Sequence, residues 1–167
     1  MKPIRLLAAS ALFGSIATFA WAQSQVMSGQ DFAAAAASSD MFEIQSSQLA
    51  LEKAQNDSVK EFAQMMIDDH TKASEELKAA AEKDGVTVPT EMDEKHKAQL
   101  GQLNSAPADG FDAAYVTAQK AAHEEGVTLM TSFAESGQEA ALKAHAAKTA
   151  PIIQTHLEHV QKLQAPQ

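Results

Sequence analysis

Four side chains in this sequence have types and positions that suit metal or hydrogen-bond chemistry in a protein core. They are Glu43, His70, His123 and His156. His70 closes the stretch Met65-Met66-Ile67-Asp68-Asp69-His70, in which an apolar run passes into two acids and a histidine with no break signal. If that stretch is helical, Val59, Phe62, Ala63, Met66, His70, Ala73 and Leu77 recur every three or four residues and share one face, so His70 sits in an apolar stripe. Glu43 occupies the same kind of position among Phe32, Ala36, Ala50 and Ala54. His156 continues the row Leu142, Thr149 and Ile153 toward Val160 and Leu163, with His159 one turn on, and His123 flanks the row Phe111, Tyr115, Ala118, Ala122, Leu129 and Phe133. His96 and His145 lie among polar or Ala-rich neighbours and read as surface residues.

Imidazole with carboxylate suits one divalent transition metal, Zn, Fe, Mn or Cu. Polar groups sent into one core from four helices are costly without a compensating ion. The alternative is a hydrogen-bonded Glu43–His70 pair, with His156 satisfied by a backbone carbonyl or water, that only fixes helix register. Asp69 and His159 are weaker candidates beside the site. Met65 and Met66 could offer copper soft sulfur, although methionine at helical spacing is ordinarily core filler. Other chemistry lacks its motifs: the chain contains no cysteine, no H-E-x-x-H, no Gly-rich phosphate loop and no nucleophile elbow. Nothing here points to an enzyme.

The elements that must position these residues are helices. From Ser28 the chain runs without proline or interior glycine to Gly85, in residues that favour helix. The pattern predicts a first helix over 29–54, a turn at Asn56-Asp57-Ser58, and a second helix over 58–83 ended by Gly85. Thr90-Glu91-Met92-Asp93 resembles a capping box and predicts a short helix over 90–103. A third long helix over 110–135 and a fourth over 138–164 follow, the fourth carrying Pro151, where a kink or break is expected. No strand alternation occurs. The result is an all-α bundle of two helical hairpins joined by the long crossover 86–109.

With the first turn centred on Asn56, Glu43 and His70 fall about 20 Å from it at ~1.5 Å per residue, at one level of the core. His123 and His156 are offset by about 7 Å on the same reckoning.

The N-terminus reads as an export signal. Lys2 and Arg5 form a basic region, Leu6 to Ala20 an apolar one, and Ala20-Trp21-Ala22 an A-x-A cleavage site. The expected organisation is therefore 1–22 signal peptide, 23–28 polar lead-in and 29–164 one helical domain. Removing Lys2 and Arg5 leaves 11 bases against 22 acids, a net charge of −11. Such a chain repels nucleic acid and anionic lipid, which need positive charge, so a metal ion, a small ligand or a protein is the expected partner. No later segment is apolar and long enough to span a bilayer.

These residues in this order resemble a bacterial family. The matching positions are Glu43, Leu49-Ala50, Val59-x-x-Phe62-Ala63-x-x-Met66-x-x-Asp69-His70, Gly85-Val86-x-x-Pro89, Phe111-Asp112-x-x-Tyr115, His123 and Pro151-x-x-x-x-His156-Leu157. They resemble the exported domain-of-unknown-function 4142 family over about 31–163. The resemblance implies a ferritin-like four-helix bundle in the cell envelope and brings no established activity. Members often carry an outer-membrane label, but this chain has neither barrel strands nor a lipid-bearing cysteine, so periplasmic location is expected. Di-iron chemistry is disfavoured: it needs Glu-x-x-His, and the residues three before His70 and His156 are Ile67 and Ile153.

Overall fold

The computed structural model describes residues 26–163. The expected signal peptide and the first residues of the polar lead-in lie outside them. Among the described residues the chain is all-α, with five helices and no strand: α1 Gly29–Lys53, α2 Asp57–Asp84, α3 Glu94–Asn104, α4 Phe111–Ser136 and α5 Ala140–Val160. No helix among the described residues is long and apolar enough to cross a membrane.

Local chemistry fixes the helix ends. Ser28 Oγ accepts from Asp31 N at the start of α1, and Asn56 Oδ1 accepts from Ser58 N at 2.8 Å at the start of α2. Gly85, at φ 68°, ends α2 in the left-handed conformation that glycine adopts without strain. Two distant carboxylates tie the hairpins together. Asp112 on α4 accepts from Gln55 N and Asn56 N in the α1–α2 turn, at 3.0 and 2.9 Å. Asp84 at the end of α2 accepts from Ala141 N and Leu142 N at 3.2 and 2.8 Å, satisfying orphan donors in the first turn of α5.

The short helix starts later than the sequence suggests. Residues 90–93 are not helical, and the cap is Asp93, whose side chain accepts from His96 N. The backbone N–H of this cap residue is itself held by Ser38 Oγ at 2.9 Å, which ties the start of the short helix to α1. Pro151 does not break α5, which continues unbroken from Ala140 to Val160. The proline falls on an exposed face, where the carbonyl freed by its missing N–H can meet water.

The four long helices contact one another in a ring, α1 to α2, α2 to α5, α5 to α4 and α4 to α1, while α3 lies across α1 and α4. Their buried faces form two apolar clusters. One gathers Phe32, Leu77, Met130, Phe133, Leu142 and Ile153, with the Phe32 and Phe133 rings stacked at 4.0 Å. The other gathers Ala50, Phe62, Met66, Phe111, Tyr115, Leu157 and Val160. Each fully buried large side chain contributes about 1.5–3 kcal/mol of transfer free energy, so the two clusters hold the helices in register. Met66 is wholly buried in the second cluster, which accounts for it as core.

Candidate metal centre

Between the two apolar clusters every long helix places polar side chains in the core. On α1 these are Asp40 and Glu43, between Ala37 and Ala50; on α2, His70, between Met66 and Leu77. On α4 they are Gln119 and His123, between Tyr115 and Met130; on α5, His156, between Ile153 and Leu157. All six are buried, and Glu43 and His123 are each 1 % exposed. The layer is sealed above and below by apolar walls.

His70, His123 and His156 meet within it. One ring nitrogen from each lies within 4.8 Å of the others, and the ring centroids are 5.8, 5.7 and 5.5 Å apart. The expected offset does not keep His123 from His156, whose ring centroids lie 5.5 Å apart. Gly126, one turn beyond His123, permits this approach. A Cβ there would meet Ile153 Cγ2, one turn before His156, at 3.3 Å.

Each imidazole has one nitrogen anchored and the other unpartnered. His70 Nδ1–H donates to Asp40 Oδ1 at 2.8 Å, His123 Nδ1–H to the Gln119 carbonyl at 2.8 Å, and His156 Nε2–H to Asp69 Oδ2 at 2.9 Å. Carbonyls and carboxylates only accept, so these three contacts put the protons on the outer nitrogens. In the neutral rings the inner nitrogens, His70 Nε2, His123 Nε2 and His156 Nδ1, are then lone pairs. All three are buried without a hydrogen-bond partner. An unsatisfied buried polar atom costs about 1–3 kcal/mol, and three converging lone pairs repel one another besides.

The electrostatics match a cation at that point. Burial, with help from the charge on His70, lowers the His123 pKa to about 3. Burial lowers His156 as well, and the Asp69 hydrogen bond only partly opposes it. Both rings therefore stay neutral and able to ligate at neutral pH. Burial also pulls His70 down, but the Asp40 hydrogen bond and the charges of Glu43, Asp40 and Asp69 outweigh it, and the net shift is upward. The same field that favours a proton on His70 favours a metal ion on the inner nitrogens. Glu43 is raised to about 7, chiefly by burial, against the lowering influence of His70 and Gln119.

Several sequence expectations need correction. The Glu43–His70 hydrogen bond is not formed. His70 takes Asp40 instead, one turn earlier on α1, while Glu43 Oε1 lies 3.7 Å from His123 Nδ1 and Oε2 is buried without a partner. Glu43 thus stands beside the histidine trio, on the outer side of His123. His123 is central to its helix, not on its flank, because the buried row of α4 runs through Tyr115, Gln119, His123, Gly126 and Met130. Asp69 bonds to His156 from a half-exposed position, and His159 is exposed, edge-on to Phe62 at 5.3 Å between centroids. His96 and His145 are buried, not on the surface. α3 lies over α1, so that His96 Nδ1 reaches Ser38 Oγ at 2.9 Å and Asp93 Oδ2 at 3.0 Å.

Sequence reasoning missed Asp40 and Gln119. Both carried a usable signal. Ala36, Asp40, Glu43, Ser47 and Ala50 have ideal helical spacing, as do Tyr115, Gln119 and His123. Gln119 Nε2 also donates to Ser46 Oγ at 3.1 Å, and Ser47 Oγ lies 2.8 Å from the Tyr115 hydroxyl, which extends the polar layer.

Fold and site together define an all-helical protein with a buried three-histidine cluster between apolar layers. The chain belongs to the family described as a domain of unknown function, DUF4142, whose model matches residues 17–163. No curated protein and no solved structure matches the chain.

Proposed function

We propose that this protein is an exported, periplasmic bundle of the ferritin-like four-helix type that binds one divalent transition metal through His70, His123 and His156. Its signal peptide would end at Ala22, and 29–164 would form its one domain. Glu43 would stand behind His123 as a nearby carboxylate, 3.7 Å from its outer nitrogen. The reading rests on one observation above all: three buried imidazoles direct unpartnered nitrogens at one another while their outer nitrogens are anchored. Metal-ligating histidines characteristically donate their second N–H to a carboxylate or carbonyl, which fixes the tautomer and orients the ring. Three imidazoles and no thiolate suit Zn, Fe, Mn or Cu. The role of such a protein would be metal binding, storage or protection of the envelope against stress.

Elemental analysis of the exported mature chain, purified without chelator or histidine tag, tests this. About one equivalent of a transition metal is expected, lost in His70→Ala while the helical signal persists. No metal, and no thermal shift on adding Zn, Cu, Mn or Fe, would overturn the reading.

One observation favours a second reading, a structural or interaction module. The His70–Asp40 and His156–Asp69 bonds join α1 to α2 and α2 to α5, so they tie helices together whether or not a metal is bound. On that reading His70→Ala destabilises the protein equally with and without added metal.

A further inference from the structure

The inner nitrogens of His70, His123 and His156 are closed off from solvent. An ion can therefore enter or leave the centre only if part of the bundle moves. α1, α2 and α4 offer no weak point beside their histidine partners. Asp40 and Gln119, which anchor His70 and His123, are buried with the rings they hold. Ser46 and Ser47 on α1 are bonded to Gln119 and Tyr115 on α4, which pins those two helices beside the trio.

α5 differs on the two sides of Pro151. Before it, Asp84 holds Ala141 N and Leu142 N, and Glu76 holds Lys148 at 2.8 and 2.7 Å. Beyond it, among the described residues, the one hydrogen bond from α5 to another helix runs from His156 to Asp69, whose side chain is 45 % exposed. Water can compete for that anchor and for neither of the other two. Two local features weaken the helix where the halves meet. Pro151 has no N–H, so the Ala147 carbonyl loses its partner within the helix. One turn on, Thr155 Oγ1 donates to the Pro151 carbonyl at 3.0 Å, a back-bond that slightly destabilises and bends helices. Besides His156, only Ile153, Leu157 and Val160 are buried beyond the proline, and Ile153 rests against Gly126, which has no side chain to interlock with it.

We propose that Pro151 is a hinge and that 152–160 is a gate. The second half of α5 swings outward, takes His156 away from the centre and uncovers His70 and His123. The proposal rests on the metal-binding reading and adds to it the way the ion is exchanged. One movement removes one ligand and exposes the other two, so the ion leaves at a rate that the protein sets. The closed centre keeps its metal against chelators outside and yields it only through the gate.

Release of Zn(II) from the loaded mature protein into excess EDTA tests it, with amide hydrogen exchange followed alongside. A first-order release rate independent of EDTA concentration is expected, and the amides of 152–160 should lose protection ahead of those in 59–77, 115–130 and 140–150. Leu157→Ala, beyond the proline, should speed release by roughly tenfold or more. Leu142→Ala, at a wholly buried position before it, should leave the rate within about twofold although it also weakens the fold. Pro151→Ala, which restores the missing donor, should slow release by roughly three- to tenfold. Release that rises in proportion to EDTA overturns the gate and leaves metal binding intact. Loss of protection by all helices together, or equal acceleration by Leu157→Ala and Leu142→Ala, overturns the hinge. Should either leucine variant fail to fold, the exchange pattern of the unaltered protein decides. A protein that binds neither zinc nor any other transition metal overturns both readings.

Discussion

His96 and His123 are both buried imidazoles in the same bundle, and their surroundings are opposite. His96 belongs to a closed network. Ser38 Oγ holds its Nδ1 and also accepts from Asp93 N, and Asp93 accepts from both the backbone N–H and the ring of His96. No nitrogen of His96 is among the buried atoms without a partner. His123 is anchored only on its outer nitrogen, and its inner one faces two more lone pairs. The first arrangement is what a structural histidine needs. The second is unfavourable until something positive occupies the centre. Burial alone therefore does not mark a functional histidine; an unpartnered atom aimed at other unpartnered atoms does.

Leucine substitutions give this contrast its largest test. His123→Leu should reduce metal affinity more than roughly a hundredfold, beyond the 10–100-fold typical of losing an outer partner. It should leave the metal-free protein as stable as before or more so, because an orphaned polar group is replaced by an apolar one. His96→Leu should do the reverse, leaving metal content unchanged and destabilising the fold by about 1–2 kcal/mol through the unpaired Ser38 and Asp93. Titration calorimetry and urea unfolding of both variants would show it.

Glu43 offers a pH test of the same contrast. Its folded-state pKa of about 7 lies above the ordinary 4.5, so the folded protein holds this proton more tightly than the unfolded chain. Its contribution to stability is complete below 4.5 and is lost as pH rises through about 7. Glu43→Gln should therefore stabilise the metal-free protein at pH 8 by on the order of 2–3 kcal/mol, and by far less at pH 5. His123 and His156 have the opposite sign. Their lowered pKa values give stability that is present above the ordinary 6.5 and lost as pH falls, toward about 3 for His123. In the metal-loaded protein protons compete with the ion for all three rings, so the loaded form should lose stability on acidification more steeply than the metal-free form.

Asp40→Asn should come next. It keeps the shape of the His70 partner but removes its charge, and a 10–100-fold loss of metal affinity is expected with the helices intact. The smallest effect belongs to the His96 side. Asp93→Ala removes the cap of α3 and should cost about 1 kcal/mol without touching metal content. The Asp93 pKa is lowered, because hydrogen bonds from His96 and Ser38 outweigh burial, so this cap weakens only as pH falls below the ordinary 3.8.

Much of this contrast was legible in the sequence, and the part that was not has a physical reason. Helical period and turn residues located the four long helices to within a few residues, and placed His70 and His156 in buried rows. They could not show that α3 folds back over α1, because 94–104 has no strong apolar stripe, so His96 read as exposed. The choice between Asp40 and Glu43 as partner of His70 also eluded register counting, since the two lie one turn apart on the same face. Pro151 misled because only the solvent side of a helix tolerates its missing hydrogen bond so easily, and sidedness depends on neighbours that the local sequence does not name.

X-ray absorption at the metal edge of the mature protein, loaded with one equivalent of Zn or Cu, reads ligation by the three histidines itself. A first shell of nitrogen and oxygen at about 2.0–2.1 Å with the outer-ring scattering of three imidazoles is expected, reduced to two in His123→Leu. A loaded protein whose spectrum shows no imidazole scattering, or the same spectrum in His123→Leu, would contradict it.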